Sequence, residues 1–414
     1  MYYEIRGGKR LCGKVAVYGA KNAILPLMAA SVLSDTPMRI DNCRPLGDIE
    51  TMGQILRGVG AEVIWNGQCL SVFGKCVDKC QIPAMLGGKI RASVLLLGGL
   101  LARFKRATIP LPGGCAIGSR PIDIHIDGLQ RLGASFTLCD NVLYADGRKM
   151  HGGKVTLAFP SVGATENLLL AAVLTKGETQ LCNCATEPEV VQLQQVLKEM
   201  GAQIDGIGTS TLTIQGVDEL GGAKVAAIGD RIVAATYLLA AAGTGGKIVV
   251  TGVDKQHCQP LLNLLGKSGC NLSYDEGICI QADKLKGFGK VETEPFPGFP
   301  TDVQSLLLSV AAICDGNTQV VENLFENRLD HNAAQLNKLG ANVSVNGNVA
   351  SVRGSNLFGS DVYAKDLRGG AALVLAGLFA QGVTRVHNVC HVERGYFDLV
   401  GSLRGLGADI KLTN

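Results

Sequence analysis

The chain has 414 residues, 18% of them charged, with a formal net charge of +3 and no run of Lys or Arg. That balance argues against nucleic acid or an anionic membrane surface as partner, because cations would have to be gathered locally to matter. The length exceeds one ordinary core and predicts two domains of roughly 200 residues.

The 14 cysteines are scattered singly through apolar segments such as CLSVFG and GICIQA, without a CxxC pair of ligand spacing. This excludes neither thiol chemistry nor burial, but it argues against a zinc site and a disulfide framework. Reduced thiols in a cytoplasm are expected. The N-terminus MYYEIRGGKR carries no apolar signal-peptide core, and the longest apolar runs, near 93–102 and 371–380, are too short to span a bilayer. No membrane insertion is expected.

One phrase recurs along the chain: LRGVGAEV, LQRLGASF, LKEMGAQI, LGKSGCNL, LNKLGANV and LRGLGADI. Its glycines are Gly60, Gly133, Gly201, Gly269, Gly340 and Gly407, at spacings of 73, 68, 68, 71 and 67 residues. Six copies at so even a period are an internal repeat. Each phrase reads as a helix end, with leucine facing the core and glycine supplying a left-handed cap. Alternating strands follow, with Asn66-Gly67 and Asn346-Gly347 as hairpin signals.

A more apolar helix precedes each phrase: KNAILPLMAASVL, IRASVLLLGGLLA, TENLLLAAVLT, DRIVAATYLLAAA, TDVQSLLLSVAAI and DLRGGAALVLAGLFA. Apolar nearly all round, these should be buried. The expected unit is βαβαββ, in an α/β chain whose inner helices are enclosed. The sixth copy lacks its last strand, and YYEIRG at the N-terminus fits the gap. The predicted domains are therefore 21–229 and 1–20 with 230–414, three units each, with hinges near 20–21 and 229–230. An open solenoid of six repeats is the alternative; the helices are too apolar to favour it.

Between Pro110 and Pro121 the chain reads PLPGGCAIGSRP. Glycines around Cys115 and a nearby Arg120 suit a reactive, partly exposed thiol, unlike Cys314 inside LLLSVAAIC. Polar residues open the apolar helices: Lys21-Asn22, Arg91, Glu166-Asn167, Asp230-Arg231, Thr301-Asp302 and Asp366/Arg368. Helix N-termini with added Lys and Arg favour an anion. Lys21, Arg91, Arg120, Arg328, Arg368 and Arg394 would supply cationic donors suited to carboxylate or phosphate. For any single residue the competing reading is a helix cap or a surface ion pair. Asp302 is either a cap or a base acting on a hydroxyl. SVGATEN is a turn into a helix able to cradle phosphate. No P-loop or GxGxxG occurs, so neither ATP nor a dinucleotide cofactor is expected.

These motifs, together with RAS, EPE, FENR and RGY, resemble the enolpyruvyl transferases over essentially the whole chain. The match is closest to the members whose acceptor is UDP-N-acetylglucosamine, since the shikimate 3-phosphate branch lacks the PGGCAIG loop. The resemblance implies a two-domain inside-out α/β barrel with helices inside and sheets outside. It implies transfer of enolpyruvyl from phosphoenolpyruvate to the sugar 3-hydroxyl through a tetrahedral ketal with release of phosphate, the first committed step of peptidoglycan synthesis, with no metal or cofactor.

By the same resemblance Cys115 protonates the methylene carbon and can form a covalent adduct, and Asp302 takes the hydroxyl proton. Lys21, Arg120 and Arg394 hold phosphate, while Arg91, Arg328 and Arg368 support anion binding. Asn22 contacts the sugar and Asp366 serves the closed state. Arg120, Pro121, Ile122 and Asp123 line the uridine side, Ser161, Val162 and Gly163 the diphosphate, and Leu324 the sugar. One departure stands out: Phe159-Pro160 replaces a lysine that some members carry before SVG. A catalytically silent nucleotide-sugar binder and a transferase with another acceptor remain the alternatives.

Overall fold

A computed structural model describes residues 1–111, 122–325 and 328–413. Cys115, Arg120 and Pro121 lie outside the described residues. Two compact units emerge, one from residues 1–18 and 229–413, the other from 19–111 and 122–228.

All six repeat glycines have positive φ, from +89° at Gly340 to +105° at Gly60 and Gly201. In every copy the next residue donates its N–H back to the repeat leucine: Ala61 to Leu56, Ala134 to Leu129, Ala202 to Leu197, Cys270 to Leu265, Ala341 to Leu336 and Ala408 to Leu403, at 2.9–3.2 Å. This is the six-to-one closure of a left-handed helix end, open to glycine without a Cβ penalty. The six leucines are fully buried, so each helix end is anchored by apolar burial as well as by its cap.

After each cap the chain makes two antiparallel strands. In the first copy Glu62–Asn66 pairs with Cys69–Phe73, and in the fifth Asn342–Asn346 pairs with Val349–Arg353. Gly67 (φ +62°) and Gly347 (φ +58°) occupy the first central position of these turns. That is where a two-residue hairpin of the II′ class needs glycine.

Among the described residues the strands form six separate sheets, three in each unit. In three of the five four-stranded sheets the chain order along the sheet is first, second, fourth, third, the first two being parallel and the rest antiparallel, and in the other two a strand from a distant part of the chain takes one of these places. Among the described residues no sheet closes on itself. The second copy departs from the expected pattern: its sheet has three strands, and its first strand shrinks to a single bridge between Gln81 and Thr108. Pro83, two residues on, removes a ladder donor and accounts for the truncation.

The N-terminal strand completes the sixth sheet as expected. Tyr2–Arg6 lies between Val383–His387 and Asp409–Thr413, antiparallel to both, with Tyr2 opposite Thr413. Two further strands complete sheets far away in sequence. Cys12–Ala16 runs parallel to Lys247–Thr251, and Ala223–Ala226 runs parallel to Met38–Asp41.

The apolar helices are buried as predicted. Lys21–Ala30, Val162–Ala172, Arg231–Thr244, Thr301–Ala311 and Leu367–Phe379 bury almost every residue. The second copy differs again: Arg91–Leu95 is a 3-10 turn, and the α-helix starts at Leu96. That helix packs on Val162–Ala172 through Gly98, where a Cβ would stand 2.1 Å from the Asn167 carbonyl oxygen. Asn167 also accepts the Gly98 N–H at 2.6 Å through Oδ1. The two helices are thus joined by a polar bond that only glycine leaves room for.

Candidate active site

In the unit formed by 1–18 and 229–413, the functional side chains gather around Asp302. Asp302 is the second residue of the helix Thr301–Ala311, whose N-cap is Pro300 and carries no side-chain cap. Asp302 is therefore not a cap. Its Oδ1 accepts from Arg328 Nη2 at 2.7 Å, and its Oδ2 lies 3.4 Å from Arg368 Nη2. The arginine side chains are 2% and 6% exposed, but that of Asp302 is 29% exposed. The carboxylate is thus the reachable member of the group, and two buried guanidinium groups compensate its charge.

Arg368 is fixed from behind. Its Nη1 donates to the Tyr396 hydroxyl at 3.5 Å, and the ring centroid lies 5.8 Å from its guanidinium carbon. The Thr236 hydroxyl donates to the Ile232 carbonyl at 2.9 Å, so its oxygen is left to accept from Tyr396 at 2.8 Å. Burial pushes the Tyr396 hydroxyl above its ordinary range, keeping it protonated. Tyr18 holds the same turn: its hydroxyl donates to the Gly395 carbonyl at 3.2 Å and accepts from Phe397 N–H at 2.8 Å. Arg394, on this turn, is exposed. Asp366 caps the helix Leu367–Phe379, accepting from Arg368 and Gly369 N–H at 3.0 and 2.9 Å. Leu324 is half-buried, and its N–H is bound to Glu322 at 2.9 Å.

The other unit carries Lys21 at the start of Lys21–Ala30. Its ammonium is buried and lies 2.8 Å from Asp48 Oδ2, in the first turn of the helix Gly47–Gly58. Asn22 and Arg91 are half-buried. Ile122 is buried, and Asp123 opens the helix Asp123–Arg131 at the surface. Ser161 is the N-cap of Val162–Ala172 and accepts from Ala164 N–H at 3.4 Å, with Val162 and Gly163 in the first turn.

Two polar residues of that helix behave differently from the expectation that they face an anion. The Asn167 amide is spent internally on Val94 O, Gly98 N–H and His125 Nδ1. Glu166 is fully enclosed, and burial first, then Glu189 and Glu187, pushes its carboxyl far above the usual range. Burial therefore favours the protonated acid over the carboxylate. His125, buried beside Asn167, has its pKa lowered to about 3 by burial and by Arg91, so the imidazole is uncharged and its Nδ1 accepts from the Asn167 amide at 3.0 Å.

Sequence reasoning did not reach Asp48, His125, Tyr18, Thr236 or Tyr396. Only Tyr396 sat inside a recognisable motif, RGY. Cys314 matches its reading as an inert thiol: it is buried, donates to Val310 O at 3.2 Å, and burial pushes its pKa up to about 12. Among the described residues no group of His, Cys, Asp or Glu is arranged to hold a metal, and no helix is long and apolar enough to cross a membrane.

The family model for EPSP synthase (3-phosphoshikimate 1-carboxyvinyltransferase) matches residues 5–403. The chain belongs to this family of enolpyruvyl transferases. It is 44% identical over 411 residues to UDP-N-acetylglucosamine 1-carboxyvinyltransferase 2 of Caldanaerobacter subterraneus, covering 99% of this chain and 98% of that one. It is also 44% identical to UDP-N-acetylglucosamine 1-carboxyvinyltransferase 1 of Staphylococcus aureus, covering 99% of each. Among solved structures it resembles the enolpyruvyl transferase NikO from Streptomyces tendae, with a TM-score of 0.89 and 28% identity over 99% of this chain and 98% of that one. EPSP synthase from Acinetobacter baumannii, at 18% identity and a TM-score of 0.76 over the whole of both chains, shares the fold.

Proposed function

We propose that the chain transfers the enolpyruvyl group of phosphoenolpyruvate to the 3-hydroxyl of UDP-N-acetylglucosamine with release of phosphate, in peptidoglycan synthesis. The observation that carries this reading is Asp302, a reachable carboxylate clasped by two buried arginines, in a chain 44% identical throughout to enzymes named for that transfer. Asp302 takes the proton of the sugar hydroxyl as the oxygen bonds to C2 of phosphoenolpyruvate. Cys115 delivers its thiol proton to C3, giving a tetrahedral phospholactoyl ketal. Loss of a proton from the new methyl group then expels phosphate and restores the enol ether.

Lys21, Arg120 and Arg394 bind the phosphate, and Arg91, Arg328 and Arg368 support the anion. Asn22 and Leu324 face the sugar, and Asp366 acts in the closed state. Arg120, Pro121, Ile122 and Asp123 take the uridine side, with Ser161, Val162 and Gly163 on the diphosphate. Domain boundaries at 21–229 and 1–20 with 230–414, and an inside-out barrel arrangement of helices and sheets, belong to this proposal. So do a cytoplasmic location and alkylation of Cys115 by the epoxide fosfomycin.

The test is phosphate release with both substrates and with each omitted. Release only with the complete pair supports the reading. A folded preparation that binds the nucleotide sugar by calorimetry yet releases no phosphate overturns it in favour of a silent binder.

A further inference from the structure

Arg328 reaches Asp302 with one arm only. Its other arm, Nη1, donates to the Thr301 hydroxyl at 2.8 Å, and its Nε is buried without a partner. Thr301 in turn donates its single O–H to Glu322 Oε2 at 2.8 Å. Glu322 is 2% exposed and stands just after the strand Asn317–Val321. Its Oε1 accepts from Thr293 Oγ1 at 3.1 Å and from the N–H groups of Leu324 and Phe325 at 2.9 and 3.2 Å.

The direction of each bond is settled by what the groups can do. Glu322 only accepts here, so the Thr301 hydrogen is committed to it and the Thr301 lone pair is left to Arg328. A guanidinium is a rigid planar fork, so anchoring Nη1 fixes where Nη2 points. Nη2 grips Oδ1 of Asp302, and the carboxylate plane is set with Oδ2 toward Arg368. Remove the Thr301 contact and the guanidinium loses its polar anchor, left against the Phe325 ring, 5.3 Å from its carbon, and the Asp302 carboxylate that it orients.

We propose that Glu322 is a positioning residue for the transfer reaction, acting through Thr301 and Arg328 to hold the Asp302 carboxylate in its working orientation. The proposal rests on the reading of Asp302 as the base. It adds a buried acid that reaches Asp302 through a hydroxyl and a guanidinium, while its other oxygen holds the N–H groups of Leu324 and Phe325.

The experiment compares Thr301→Val, Thr301→Ser, Glu322→Gln, the Thr301→Val/Glu322→Gln pair and Asp302→Asn, by steady-state phosphate release and thermal unfolding. Misorientation of a reacting group costs on the order of 10- to 100-fold in rate. Thr301→Val and Glu322→Gln should each lower kcat by about that factor, with the KM of both substrates moving less than about threefold. Thr301→Ser should recover most of the loss. The double variant should be no slower than the worse single one, because the groups act as a unit. Unchanged kcat in folded Thr301→Val, or losses that multiply in the double variant, overturns the proposal while an inactive Asp302→Asn upholds the base. Turnover by Asp302→Asn removes the base itself, and the proposal with it.

Discussion

The Lys21 ammonium and the Asp48 carboxylate lie 2.8 Å apart, with side chains only 11% and 12% exposed. A cation proposed to hold phosphate is therefore already compensated inside its own unit. Breaking such a pair from one side leaves an enclosed charge, at a cost of roughly 3 kcal/mol. Lys21→Met should lose about that much stability in urea unfolding and lose phosphoenolpyruvate turnover as well. Adding Asp48→Asn should restore much of the stability and none of the turnover. Recovery of turnover in the double variant would show that Lys21 serves only the fold.

Cys115 is proposed as an acid, and its role can be separated from its nucleophilicity. Cys115→Ala should release no phosphate from the substrate pair. Cys115→Asp should retain turnover, since a carboxylic acid can also donate a proton, and should resist alkylation by fosfomycin. Mass spectrometry of the treated variants reads the adduct directly.

Glu166 and His125 tilt stability in opposite directions with pH. The raised Glu166 pKa means that the folded chain binds the extra proton. Its stabilising effect is complete below the unfolded carboxyl pKa and is lost as pH rises. For His125, depressed from 6.5 to about 3, the unfolded chain binds the proton. Stability tied to it is complete above pH 6.5 and drains away down to about pH 3. Glu166→Gln should raise the urea midpoint at pH 7 with little effect at pH 4. A midpoint unchanged at pH 7 would mean that Glu166 is ionised in the fold.

Gly98→Ala would place a methyl 2.1 Å from Asn167 O and 2.4 Å from Asn167 Oδ1. Neither neighbour can retreat without opening the helix pair. A loss of about 3 kcal/mol is expected, at the upper end for overpacking, seen as a lowered thermal midpoint. Gly405→Ala, in a helix with open space around it, serves as the tolerant control.

Arg368→Lys should lower kcat on the order of 100-fold. A lysine has one ammonium for two partners 3.4 and 3.5 Å away, Asp302 and Tyr396, and cannot copy the fork. Phosphate-release kinetics with wild-type-like thermal unfolding would locate the defect in orientation.

The features most legible in sequence were those that a local rule enforces. Gly60 and its five counterparts had to be glycine because the helix end turns left-handed, and the leucine four residues earlier had to be apolar because the cap buries it. The gap after Asp409–Thr413 pointed to Tyr2–Arg6 because a hairpin partner was missing. Polar residues at helix starts were legible only as a set. Asp230, Asp366 and Ser161 turn out to be caps, Glu166 a buried acid whose proton is held more tightly than usual, and Asn167 a brace for Gly98. Tyr396 and Thr236 are 160 positions apart, and nothing near either residue announces the other. Such pairings arise only when repeats pack, so periodicity finds the helices and cannot find their polar bracing.

The strand Tyr2–Arg6 finds both its neighbours near the opposite end of the chain, at Val383–His387 and Asp409–Thr413. On a ribosome adding roughly 5–20 residues per second, it waits roughly 20–80 s for them. Cys12–Ala16 waits for Lys247–Thr251 in the same way, though for less time. During that interval both segments present unpaired backbone edges to the surrounding solvent. A nascent chain of this protein should therefore be a client for holding factors early in synthesis, and truncations that remove the last repeat should aggregate through the first.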